Sequence, residues 1–312
     1  MKSSQRWIFI LSLLVLAMTW AALYIGPAAT TPEILFQLRL PRVLLGLIVG
    51  AGLATAGTLF QGLLRNPLAD PYILGTSSGA SFGVLLAAIL HWRSPVILYS
   101  LSLLFALGSI VVVYRIAETQ GRTPVQTLIL SGVVVSTFLN ALVFLGFSLF
   151  QRESFSALFF LLGTLAEPDP LLLKISGSLI LISLIAICFF GRDLNVLAQG
   201  DETARHLGID PEKSKKILFI LASVIVAASV AVAGMIGFIG LIVPHCLRLI
   251  LGPDHRSLLP ASALGGALML IALDAGARTL AAPREIPVGV LAALCGTPFF
   301  IYLLRRKKGE MF

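Results

Sequence analysis

Residues 43–63 read VLLGLIVGAGLATAGTLFQGL, a stretch of 21 residues without a charged side chain. A helix rises 1.5 Å per residue, so roughly 20 apolar residues cross the hydrocarbon core of a bilayer. Within the stretch Gly46 and Gly50 fall on one helical face, and Gly52, Ala54 and Ala56 extend the small surface. In lipid such a surface lets helix backbones come close, and close packing is what holds membrane helices together. The stretch therefore predicts a spanning helix built to sit among other helices.

The same reading extends outward in both directions. Further spans are predicted at 7–26, 73–91, 95–114, 125–149, 171–190, 215–235, 237–250, 258–280 and 287–304, about ten in all. Gly234, Gly237, Gly240 and Pro244 interrupt the eighth, which reads as a tight turn followed by a half-length helix. Lys2 and Arg6 precede the first run, as in a signal peptide. That run is longer than a usual secretory core of about 7–15 residues, and no clear cleavage site follows, so an uncleaved first helix is expected. The sequence thus predicts one all-α transmembrane domain over 1–312, a compact bundle with a polar segment at about 192–213.

Composition agrees. Of 312 residues 57% are hydrophobic and 12% charged, against about 25% charged in a soluble domain. The net charge of +8 does not indicate nucleic acid, because the basic residues sit in short loops between apolar runs. With the N-terminus inside and ten spans, 16 of the 23 lysines and arginines fall on the inner side, as the positive-inside rule requires. Trp7, Trp20 and Trp92 fall near predicted helix ends, where an aromatic belt would place them. A multi-pass protein of the cytoplasmic membrane with both termini inside is expected.

Enzyme chemistry is hard to find. There is no GxxxxGK[ST] phosphate loop, no HExxH and no acidic cluster. Cys188, Cys246 and Cys295 stand singly in apolar runs, and His245 beside Pro244 reads as a packing or interfacial residue. No catalytic residue, metal site or cofactor is predicted. Asp274 is the one clear carboxylate inside a late span, with Arg278 four residues on. That spacing places them on one face, either as a local ion pair that positions Arg278 or as a proton relay. A transporter with neither a relay nor a nucleotide site needs energy from a partner.

Two polar features suggest where partners act. Gly191 to Lys216, GRDLNVLAQGDETARHLGIDPEKSKK, is the longest polar stretch. Asp201 and Glu202 open a short helix, Arg205 and His206 close it, and Gly208 suits the left-handed position beyond its end. Asp210-Pro211 then caps and starts the next span. So short a helix is unstable alone and must dock, either on its own bundle or on a cytoplasmic partner. The second feature is Arg39-Leu40-Pro41-Arg42 at the predicted outer mouth, which Arg278 could join. These arginines either snorkel at the membrane edge or recruit an acidic extracellular partner.

At these residues the chain resembles the FecCD-like permease family of type II ABC importers, which serve iron chelates, haem and vitamin B12. The matching stretches are RLPRVLLGLIVGAGLATAG (39–57), QGLLRNPLADPYILGTSSGAS (61–81), GDETARHLGID (200–210), VAGMIGFIGLIVPHCLRLILGPDHRSLLP (232–260) and REIPVGVLAALCGTPFFIYLLRR (284–306). The resemblance implies ten helices, a permease dimer with an identical or homologous copy, two cytoplasmic ATPase subunits and an extracytoplasmic substrate-binding protein. It further implies that Asp201, Glu202, Thr203, Ala204, Arg205, His206, Leu207 and Gly208 form the segment that couples to the ATPase. Arg39, Arg42 and Arg278 match positions that dock acidic residues of the binding protein. Thr76, Ser77 and Ser78 match a gate region, and Ser78 stands where some B12 permeases carry Asn. By polarity, Ser131, Ser136, Thr137 and Asn140 are expected along the pathway. The competing expectations are an ion-gradient transporter, which should carry mid-membrane carboxylates, and an intramembrane enzyme, for which no catalytic cluster is present.

Overall fold

The computed structural model describes residues 3–27, 30–92, 94–121, 123–150, 162–166 and 168–308. Lys2, Arg93, Arg122 and Arg152, which enter the orientation argument, lie outside the described residues. Among the described residues seven helices are long and apolar enough to cross a membrane, and three shorter apolar helices accompany them. The elements are α1 (Ser3–Tyr24), α2 (Leu40–Leu63), α3 (Thr76–Ile89), α4 (Pro95–Ala117), α5 (Val125–Leu149), α6 (Pro170–Phe189), α7 (Gly191–Leu197), α8 (Asp201–His206), α9 (Pro211–Ala233), α10 (Ile239–Leu251), α11 (His255–Thr279) and α12 (Val288–Lys308).

The predicted spans correspond to α1 to α6 and α9 to α12, with ends shifted by a few residues. Helix starts follow local chemistry. Asp169 Oδ1 accepts from the backbone N–H groups of Leu171 (2.8 Å) and Leu172 (3.0 Å) and Pro170 opens α6. Asp210 caps α9 in the same way, accepting from Glu212 and Lys213, with Pro211 in the first turn. Both devices satisfy N–H groups that a helix start leaves without partners.

The centre of the bundle is α2, packed against α9, α10 and above all α11. Of the most apolar window of its span 78% is buried, against 17% for α1 at the periphery. The small residues explain the closeness. A Cβ on Gly50 would strike the carbonyl of Gly266 on α11, and one on Gly266 would strike that of Gly50. Gly79 and Gly83 bring α3 onto the backbone of α4 at Phe105 and Leu101. The predicted Gly46–Gly50 face is therefore used, with Gly50 carrying the tighter contact.

Two stretches are unwound inside the bundle. The chain between α2 and α3 runs as turns to Gly75, whose φ of +84° introduces α3. Residues 234–238 turn sharply, with Phe238 at φ +69°, before α10 begins. Gly240, in the first turn of α10, backs onto Gly57 and Leu53 in α2, so this helix starts partway along the bundle and is half-length, as its glycines and Pro244 suggest. The two stretches are tied together by Tyr72, whose hydroxyl donates to Ile236 O (3.1 Å) and accepts from Ile236 N (3.3 Å). Irregular backbone at membrane depth survives only where protein groups satisfy it, and this tie does so.

The polar segment holds two short helices where the sequence suggests one. The addition is α7, whose Leu194 and Leu197 are buried against the bundle. A π-helical turn at Ile34–Arg39, ahead of α2, is likewise not foreseen.

Candidate functional site

Polar chemistry gathers at the two ends of the bundle. At one end, Arg39 closes the π-helical turn and Arg42 lies in the first turn of α2, while Arg278 lies in the last turn of α11. The sequence suggests a surface patch, but all three are buried, at 5%, 9% and 4% exposure. The reason is a set of partners far away in the chain. Arg42 Nε donates to Asp274 Oδ1 (2.9 Å) and Oδ2 (3.1 Å), and its Nη2 lies 2.8 Å from Oδ1. Arg42 Nη1 donates to both oxygens of Glu285, at 3.0 and 2.9 Å.

Asp274 also receives Arg278 Nε at 3.2 Å, the ion pair that the four-residue spacing suggests. Arg278 Nη2 donates to the carbonyl of Ala22 in α1. Arg39 Nη1 donates to the carbonyls of Leu23 and Tyr24 and to the Thr30 hydroxyl (2.8 Å). The cluster therefore binds α1, α2, α11 and the turn before α12 into one unit. Asp274, only 1% exposed, is committed to two guanidinium groups and so reads as a structural anion rather than a proton carrier. Above the arginines opens a cavity of about 270 Å³, lined also by Gly26, Ile34 and Glu285.

At the other end α8 stands on the bundle. Ala204 is fully buried beneath it. Asp201 Oδ1 accepts from Arg65 Nη2 (2.8 Å) just past α2, and Oδ2 accepts from Lys215 Nζ (2.5 Å) in α9. Burial opposes ionisation of Asp201, but Lys215 and Arg65 outweigh it and hold the carboxyl below its ordinary range. Arg65 Nε also reaches the carbonyl of Leu197, which ends α7. Gly208 takes φ +78°, and the N–H of Ile209 closes on the carbonyl of Ala204, so the helix ends as its sequence suggests. Glu202, Arg205, His206, Leu207 and Gly208 remain exposed, Thr203 is half-buried, and Leu207 is 61% open. The helix thus docks on its own bundle through one side and offers charges and an apolar knob on the other.

The expected pathway residues divide. Thr76, Ser78 and Ser131 are buried between α3, α4 and α5, and Ser78 donates to the carbonyl of Gly75. Ser77 and Ser136 are half-buried, and Ser136 borders Gly75. Thr137 and Asn140 are exposed at the middle of α5, where a lipid-facing helix would be apolar. Of the polar groups named here the sequence reading misses Thr30, Arg65, Tyr72, Lys215 and Glu285 as parts of a site. The only signal in the sequence was a charge or hydroxyl beside an apolar run. Among the described residues no three histidine, cysteine or acidic side chains stand close enough to share a metal ion.

Known proteins share much of this sequence and fold. Residues 7–306 match the FecCD transport family. The cobalamin import system permease protein BtuC of Halobacterium salinarum is 43% identical over 288 residues, covering 92% of this chain and 78% of that protein. The hemin transport system permease protein HmuU of Yersinia pestis is 40% identical over 287 residues, covering 89% of this chain and 85% of that protein. A solved structure assigned to the metal-chelate type of ABC transporter, in an inward-facing conformation, superposes with a TM-score of 0.89. It shares 33% identity over 97% of this chain and 99% of its own.

Proposed function

Because the chain belongs to the FecCD transport family, we infer that it is the transmembrane permease of an ATP-binding-cassette importer for a metal chelate. The cargo class spans ferric siderophores, haem and cobalamin; the relatives named for cobalamin and hemin support it. As a multi-pass protein of the inner membrane it provides the path, and a separate ATPase provides the energy.

The observation that carries the detailed reading is the pairing of two polar devices at opposite ends of an apolar bundle. The α8 end faces the cytoplasm, and an ATPase grips Glu202, Arg205, His206 and Leu207. Asp201 passes that grip to the ends of α2 and α9 through Arg65 and Lys215. The arginine end faces outward and receives acidic groups of a substrate-binding protein at Arg39, Arg42 and Arg278. Two ATPase subunits and a second, identical permease complete the assembly. Thr137 and Asn140 then face a path shared by the two copies, with Thr76, Ser77 and Ser78 close to the gate. Weak contacts along the path suit transport, because tight binding would stop release. Each partner biases the gate only by its different affinity for the two states.

Uptake in proteoliposomes tests the reading. Permease reconstituted with its ATPase and loaded binding protein should import chelate only when ATP is supplied. Import that ignores ATP and follows a proton or sodium gradient would overturn it.

A further inference from the structure

Glu285 differs from Asp274, the other carboxylate in the arginine cluster. It sits in the turn between α11 and α12, and its side chain is 43% exposed, while that of Asp274 is 2% exposed. The two carboxylates share one guanidinium by edges. Asp274 holds Nε and Nη2 of Arg42 from within the bundle, and Glu285 holds Nη1 from the cavity side. Glu285 also lines the cavity that opens above Arg39, Arg42 and Arg278. Three guanidinium groups against two carboxylates leave the cluster with positive charge in excess, so the cavity attracts a further acid. An incoming carboxylate finds the outward-facing amino group of Arg42 already occupied.

We propose that Glu285 is an internal competitor, holding on Arg42 the place that a carboxylate of the substrate-binding protein takes on docking, so that docking exchanges one acid for the other. The proposal rests on the reading of these arginines as the docking site. The exchange is physically cheap on the side where it occurs. An ion pair with a partly exposed acid contributes little, and water takes over the released Glu285. Arg42 is never left as an unpaired buried charge, because Asp274 keeps its other edge. The consequence is a docking affinity reduced by the fraction of time Glu285 occupies Arg42.

The test uses the permease assembled with its ATPase in nanodiscs, titrated with the purified, cargo-loaded binding protein of the same transport system. Glu285→Gln keeps the size of the side chain and removes the competing charge. It should dock more tightly than the parent chain, by up to about fivefold, the most that removal of a partly exposed pair can return. Glu285→Ala should move in the same direction. Unchanged or weaker docking by both variants overturns the exchange. Arg39→Gln and Arg42→Gln, checked for intact ATPase assembly, separate the two ideas. If they weaken docking while the Glu285 variants do not tighten it, only the exchange fails. If they dock like the parent chain at low salt, the docking reading fails with it.

Discussion

Arg42 and Asp274 lie 232 positions apart in the chain and 2.8 Å apart in the protein. Their neighbours make the buried pair tolerable, since the remaining donors and oxygens are also used. Asp201 is the contrasting case at the opposite end. Its side chain is 38% exposed, so its pairs with Arg65 and Lys215 contribute about 1 kcal/mol or less to folding. Its importance is positional. Asp201→Asn should leave the bundle folded, with a change of about 1 kcal/mol or less, yet loosen α8 on the ends of α2 and α9. Hydrogen exchange over residues 201–208 should rise, and ATP hydrolysed per chelate imported should rise with it. Unaltered protection would sink the tether. The pH dependence follows the sign of the shift. A carboxyl held low keeps its contribution above the ordinary value of about 3.9 and loses it as pH falls through its own lower pKa.

At the scale of elements, short-range chemistry was legible and long-range chemistry was not. The Asp210-Pro211 start of α9 and the Gly208 end of α8 were readable because a cap involves residues within one turn. The half-length α10 was readable from Gly234, Gly237, Gly240 and Pro244. In contrast α7 was overlooked, although Leu194 and Leu197 three apart marked a buried face. The contact between α2 and α11 depends on which glycines meet. Gly50→Leu should force the helices apart at Gly266, costing about 1–3 kcal/mol or more of stability. Thermal unfolding in detergent reads this as a lower midpoint, whereas Gly108→Leu, where a Cβ meets nothing within 4 Å, should change little. Equal loss in both would show that the Gly50 contact is not limiting.

At the scale of the whole molecule the question is which end faces the cytoplasm. The basic residues argue for the α8 end, and labelling decides it. In a chain cleared of Cys188, Cys246 and Cys295, a cysteine placed at the exposed Glu202 should resist a membrane-impermeant maleimide in intact cells. It should react after permeabilisation, and one placed at Glu33 should react in both. Reversal of that pattern would turn the molecule over and exchange the roles of the two polar ends.

The sequence by itself determined the solvent, the span of each apolar run and the caps of several helices. These depend on composition and on neighbours along the chain, where geometry is set by the backbone alone. Only the tertiary structure decided that Arg39, Arg42 and Arg278 are buried and that Asp274 and Glu285 divide one guanidinium between them. The physical reason is distance along the chain. A charge at position 42 shows nothing of the charge at 285 until close packing of α2 on α11 brings both to one cavity.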